Sequence, residues 1–136
     1  MMAIKHPFIN LYGDDPTDGR TDGTLISLDD DISSPIQASV NASKEETQKQ
    51  KLALRCEEGY STNADTTIWF KGANADKWSL SRTENGTYAS TLIISDAIID
   101  KNVTFWVAAH GISGELPDVD LTSKIKVSTN IKKLVE

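Results

Sequence analysis

At 136 residues and 14.9 kDa, with 38% apolar and 25% charged side chains, the chain is large enough for one buried core and too small for two. A net charge of −6 and a pI of about 4.9 set its field against nucleic acid and anionic membrane. The single Cys56 excludes an internal disulfide and a Cys-rich zinc site.

Met1-Met2-Ala3-Ile4-Lys5-His6-Pro7 lacks the apolar stretch of a secretory signal, so synthesis and use without export are expected. No apolar run approaches the roughly 20 residues needed to span a bilayer. Residues 1–33 hold seven aspartates against Lys5 and Arg20, so nearly all the excess negative charge sits there. The segment opens with an apolar patch, Phe8-Ile9-Asn10-Leu11-Tyr12, and runs into Gly13-Asp14-Asp15-Pro16-Thr17-Asp18-Gly19-Arg20-Thr21-Asp22-Gly23. Gly, Pro and Asp at this density favour turns and offer little to bury. We read residues 1–33 as an extended, loop-rich, acidic N-terminal arm with one short strand at 24–28, which orders on a partner.

From Pro35 onward, short apolar-alternating runs are separated by turn signals about every ten residues, the spacing of a β-sandwich. Ile36, Ala38 and Val40 alternate in the first run, and Leu52, Leu54 and Cys56 in the second. Between them, residues 43–50 read either as a helical turn capped by Ser43 with Glu46 three residues on, or as a solvated loop. Ile68 and Phe70 share one face of residues 66–71, and Trp69 takes the other. Trp78, Leu80 and Arg82 line up in residues 77–82. Thr83-Glu84-Asn85-Gly86 then reads as a type I′ hairpin turn into residues 87–95, where Tyr88, Ser90, Leu92 and Ile94 alternate. After a turn at 96–101, Val103, Phe105, Val107 and Ala109 form a sixth run. Ile125 and Val127 against Lys124 and Lys126 form a seventh, within 121–129. Residues 131–136 form a tail. The expected fold is all-β: an immunoglobulin-like antiparallel β-sandwich of about seven strands over residues 34–130.

No catalytic constellation emerges. Cys56, with Trp69 thirteen residues on, matches the first Cys and the Trp of an antibody-type domain, but the sixth run has no second Cys, so Cys56 reads as a small buried hydrophobe. The aspartates of residues 14–22 have the ligand chemistry for calcium, yet position 12 counted from Asp14 is Leu25, which breaks the EF-hand register; no metal site is expected. His6 and His110 lie in no base or metal-ligand pattern. Gly111-Ile112-Ser113-Gly114 misses the register of a nucleophile elbow, and no phosphate-cradling loop occurs. Three acceptor patterns for N-glycosylation, at Asn41, Asn85 and Asn102, read as chance. The remaining candidates are aromatic: among Trp69, Trp78, Trp106, Tyr60 and Tyr88, the tryptophans Trp69 and Trp106 fall on faces opposite the core and could stack on sugar rings.

The run from Leu11 to Thr24, leading to Ser34-Pro35-Ile36, and Lys51-Leu52-Ala53-Leu54-Arg55-Cys56-Glu57-Glu58-Gly59-Tyr60 resemble small proteins encoded among the virion genes of tailed phages and prophages of Gram-positive bacteria. The resemblance extends over much of the chain, though its motifs carry no chemistry. It implies a virion protein, made in the host cytoplasm, that decorates or reinforces an assembled lattice. The partner would be the major capsid protein or another virion protein, with no cofactor, nucleic acid or membrane, and with self-association on the particle left open. In that role Phe8, Ile9, Leu11 and Tyr12 would supply burial on the partner, and Asp14, Asp15, Asp18 and Asp22 would meet its Lys or Arg. The alternatives are a tail or baseplate accessory protein, or a carbohydrate- or cell-wall-binding module using Trp69 and Trp106.

Overall fold

The computed structural model describes residues 9–26, 33–40, 47–63, 65–72, 75–111 and 119–134, with 33–40 and 119–122 described by backbone course. Eleven strands occur among these residues. They are β1 (Ile9–Gly13), β2 (Thr24–Leu25), β3 (Ser33–Val40), β4 (Thr47–Cys56), β5 (Tyr60–Thr62), β6 (Thr66–Lys71), β7 (Trp78–Ser81), β8 (Thr91–Ile94), β9 (Val103–His110), β10 (Val119–Ser128) and β11 (Ile131–Lys133). A five-stranded sheet runs β2-β1-β4-β9-β7 and a four-stranded sheet runs β3-β10-β6-β8, with β11 and β5 paired separately. All pairings are antiparallel. The fold is an all-β sandwich.

Period-two alternation puts much of the core where the sequence indicated; Arg82 and Ser90 are exposed instead, and the side chains of Ile36, Ala38 and Val40 lie outside the described ones. Leu52, Leu54 and Cys56 of β4, Phe105, Val107 and Ala109 of β9, and Trp78 and Leu80 of β7 face Ile68 and Phe70 of β6, Ile94 of β8, and Ile125 and Val127 of β10. Phe70 and Trp78 touch across the core, their ring centroids 5.5 Å apart. Each fully buried Leu or Ile contributes about 1.5–3 kcal/mol by leaving water, so this cluster is what holds the sheets together without a disulfide.

The leading segment departs from expectation. Ile9–Gly13 is no free arm but a strand paired with β4, Ile9 opposite Cys56 and Leu11 opposite Leu54. Ile9 and Leu11 are wholly buried within the common core and cannot serve a partner. The physical reason lies in the alternation of Ile9-Asn10-Leu11-Tyr12 itself: it is a strand pattern, and β4 offered an apolar edge to receive it. The boundary expected between residues 33 and 34 therefore does not separate an arm from the sandwich. Phe8 lies outside the described residues.

Three smaller expectations also fail, and a fourth segment, the 96–101 turn, holds more than a turn. Residues 47–50 are neither helix nor loop but the start of β4; Ser43 and Glu46 lie outside the described residues. Thr83-Glu84-Asn85-Gly86 closes on itself through the Gly86 N–H to the Thr83 carbonyl (3.2 Å), but neither Asn85 nor Gly86 has positive φ. The flanking strands do not form a hairpin, because β7 joins the five-stranded sheet and β8 the four-stranded one. Only the bridge between Leu80 and Ala89 links the two arms of the turn. The 96–101 turn hides a core residue: Ile98 is fully buried, its N–H held by the Thr62 hydroxyl at 2.8 Å. Lastly, the tail supplies β11, which pairs with β5.

Candidate functional site

Beyond Gly13 the chain leaves the sheet. Asp14 and Asp15 adopt left-handed backbone angles in succession (φ 64° and 57°), which costs little for aspartate. Residues 14–23 then fold back over the outer face of the five-stranded sheet before β2 returns to pair with β1, Tyr12 opposite Leu25. Gly23 completes the return at φ 107°; a Cβ there would meet the Gly13 carbonyl, Pro16 and Tyr12 at 3.1 Å each.

Asn102 staples this loop down. It is 2% exposed, and its amide nitrogen donates to the Thr17 carbonyl (3.0 Å), the Asp22 carbonyl (3.1 Å) and Asp22 Oδ1 (2.9 Å). Its amide oxygen accepts from Arg55 at 2.9 Å, its backbone N–H donates to Arg20, and its carbonyl accepts from Gly19. Asp18 accepts from both the backbone N–H and the hydroxyl of Thr104, at 3.1 and 3.2 Å. The Arg55 guanidinium lies 3.8 Å from the centre of the Tyr12 ring. The Thr17 N–H, 2.8 Å away, holds the Asp22 carboxyl below its ordinary range, helped by the Thr17 hydroxyl and by Arg55. Asn102 and Thr104 thus have internal structural work, which takes their acceptor pattern out of consideration for glycan attachment.

A groove of about 570 Å³ opens beside this loop, where β1 ends and β4 continues. Gly13, Asp14, Asp15 and Thr24 form one wall, Lys49, Lys51 and Trp106 the other, and Ile26 and Leu52 the floor. Asp14 and Asp15 are exposed at its rim. At the far end Lys49 is pinned to the Glu84 carbonyl (3.0 Å) above the Tyr88 ring, whose hydroxyl donates to the same carbonyl. Trp106, half-buried and opposite Lys51 in the ladder, is the aromatic member of the groove.

The other expected site residues scatter. Trp69 is half-buried on the outer face of the four-stranded sheet, beside Thr91 and Lys126, so it and Trp106 lie on opposite sides of the molecule and form no common platform. Trp78, not Trp69, is the core tryptophan. Tyr60 packs on the core and Tyr88 beneath Lys49. The Cys56 thiol is buried, points at the Ile98 carbonyl (3.3 Å), and is pushed up to about 11 chiefly by burial, so it is almost wholly protonated at neutral pH. His110 shares a 2.7 Å contact with the Thr47 hydroxyl and meets no carboxylate among the described residues. Asp14, Asp18 and Asp22 each bind a different neighbour, and among the described residues no three His, Cys, Asp or Glu side chains converge to hold a metal. Neither the anchoring role of Asn102 nor the groove was legible in the sequence, because neither has a local pattern.

No protein-family model, curated protein or solved structure matches this chain.

Proposed function

We propose that the chain is a non-enzymatic structural protein of a tailed-phage virion, a decoration protein seated on the head lattice. The sequence resemblance suggests the setting, and the strand order suits it. In an immunoglobulin-like sandwich one sheet runs A-B-E-D and the other contains C-F. Taken in that order, β1-β4-β9-β7 stands for A-B-E-D and β6-β10 for C-F, with β3 in the place of G and β8 added beside C. Ile9 and Leu11 lie in the core and cannot serve attachment, so this reading assigns it to a preformed surface.

The observation that carries this reading is the stapled 14–23 loop, which holds Asp14 and Asp15 exposed at the rim of the groove. A fixed acidic rim needs no ordering on contact and meets basic lattice residues without the entropy cost of an arm. Particles lacking the protein should take it up to a copy number comparable with that of the major capsid protein, counted by quantitative mass spectrometry. Replacing Asp14 and Asp15 together by Lys should lower occupancy while leaving the circular dichroism unchanged. A few copies per particle would point to the tail or baseplate instead, and no association with particles would end the virion reading.

One observation favours a second reading, a carbohydrate- or cell-wall-binding module. Trp106 shares the groove with Asp14, Asp15, Lys51 and Gln50, an apolar ring among polar groups that suits a sugar. A glycan array showing binding that is lost on Trp106→Ala and kept on Trp69→Ala would establish it.

A further inference from the structure

The hydrogen bonds of β1 and β2 fix which way each peptide group of β4 points. The Ile26 N–H donates to the Leu11 carbonyl at 2.9 Å, so Leu11 turns its polar groups toward β2, and Asn10 and Tyr12 turn theirs toward Arg55 and Ala53 of β4. By the two-residue period, Thr47, Lys49 and Lys51 present their N–H and C=O groups on that same side. There, past Gly13, no described strand lies, whereas on the opposite side β9 pairs with β4 from Thr47 to Leu54. On this side Lys49 and Lys51 border the groove.

We infer that this open edge of β4 receives an extended segment of a partner polypeptide as an added strand, in the line that β1 vacates at Asp14. Peptide groups repeating along a strand edge are complemented by another backbone, which is the chemistry of strand addition. Lysines on an edge commonly deter pairing. Here the Lys49 ammonium is drawn onto the outer face by the Glu84 carbonyl and Tyr88, and Lys51 lies beside Trp106, so the edge itself stays clear.

Charge specifies the occupant. Outward side chains opposite Lys51 and Lys49 are acidic, inward ones cover Leu52 and Ile26 and are apolar, and the leading end abuts Asp14 and Asp15 and is basic. This rests on the virion reading only for the source of the strand, a segment of a lattice subunit.

The probe is a short synthetic peptide that begins with lysine and alternates valine with glutamate, added to the full-length protein. Amide exchange should slow at Lys49 and Lys51 and stay unchanged at Gln48 and Gln50, which face β9. Methylating the glutamate amides should abolish binding, and methylating the valine amides should not. Lys51→Pro, which removes an N–H from the open side and leaves the β9 ladder intact, should weaken the peptide by about tenfold or more. Lys49→Pro serves the same end if the first variant loses its circular dichroism. No binding, equal binding of both methylated peptides, or slowed exchange at Thr91–Ile94 instead would overturn the proposal. Capture of the peptide by a protein that never associates with particles would sink the virion reading and leave the open edge standing. Particle occupancy that survives Lys51→Pro while peptide capture is lost would exclude the lattice as donor.

Discussion

The two outer faces of the sandwich are built on opposite plans. On the five-stranded sheet, Asn10, Tyr12, Ala53 and Ala108 point away from the core and are nevertheless buried: Asn10 bonds Glu57, Arg55 lies over the Tyr12 ring, and residues 14–23 and the Glu84–Tyr88 region are tied down across this face. On the four-stranded sheet, Thr91 and Ile93 of β8 and Lys71 and Lys124 of the inner strands stay exposed, and Ile93 is 56% open to solvent. Outward alternation along a strand does not by itself mean solvation: a loop long enough to return can make an outer face into a second, polar interior. That interior is held by hydrogen bonds through Asn102, whereas the true core is held by apolar burial.

The comparison can be broken in order of expected effect. Removing residues 1–23 should unfold the sandwich, since it deletes β1 from the core; Ile9→Ala or Leu11→Ala alone should cost about 2–5 kcal/mol in urea denaturation. A truncated protein with intact β-sheet signal and stability would show that the leader is dispensable after all.

Asn102→Ala should cost about 1–3 kcal/mol, because Arg55 and the Thr17 and Asp22 carbonyls lose a buried partner. The damage should be confined: amide exchange should quicken at Gly19, whose N–H is held by the Asn102 carbonyl, well before it does in β9.

Acid should loosen the same face first. The Asp22 carboxyl is held below its ordinary range, so its contribution is complete above the ordinary aspartate value and is lost as the pH falls through the lowered one. Exchange at Thr17 should therefore rise in that acid window, and Asp22→Asn should flatten the dependence.

The smallest effect belongs to the bare face. Lys71 and Lys124 sit directly opposite one another, both exposed, and Lys124→Glu should change stability by no more than about 0.5–1 kcal/mol, toward greater stability. A loss of several kcal/mol there would mean that this face too is covered.

Much of the sandwich was legible because β-strands write their burial into the chain every second residue. Leu52-Ala53-Leu54-Arg55-Cys56 and Val103 to Ala109 name their own inward faces, and both lie in the core as read. The same rule, applied to Ile9-Asn10-Leu11-Tyr12, would have identified β1. The density of Gly, Pro and Asp that follows it weighed too heavily and turned a strand and its return loop into an arm. The Asn85-Gly86 signal was local and real as a turn, yet a turn does not dictate whether its two strands share a sheet.

The sequence by itself determined the all-β class, the unreactive Cys56 and most inward-facing residues, since these follow from side-chain period and composition. Only the tertiary structure decided that residues 14–23 are stapled to the sandwich, that Trp69 and Trp106 lie on opposite sides, and that no described strand pairs with the Lys49–Lys51 edge of β4. Each of these depends on which distant strands meet: Asn102 reaches Thr17 across 85 residues, and no pattern within either segment encodes the encounter.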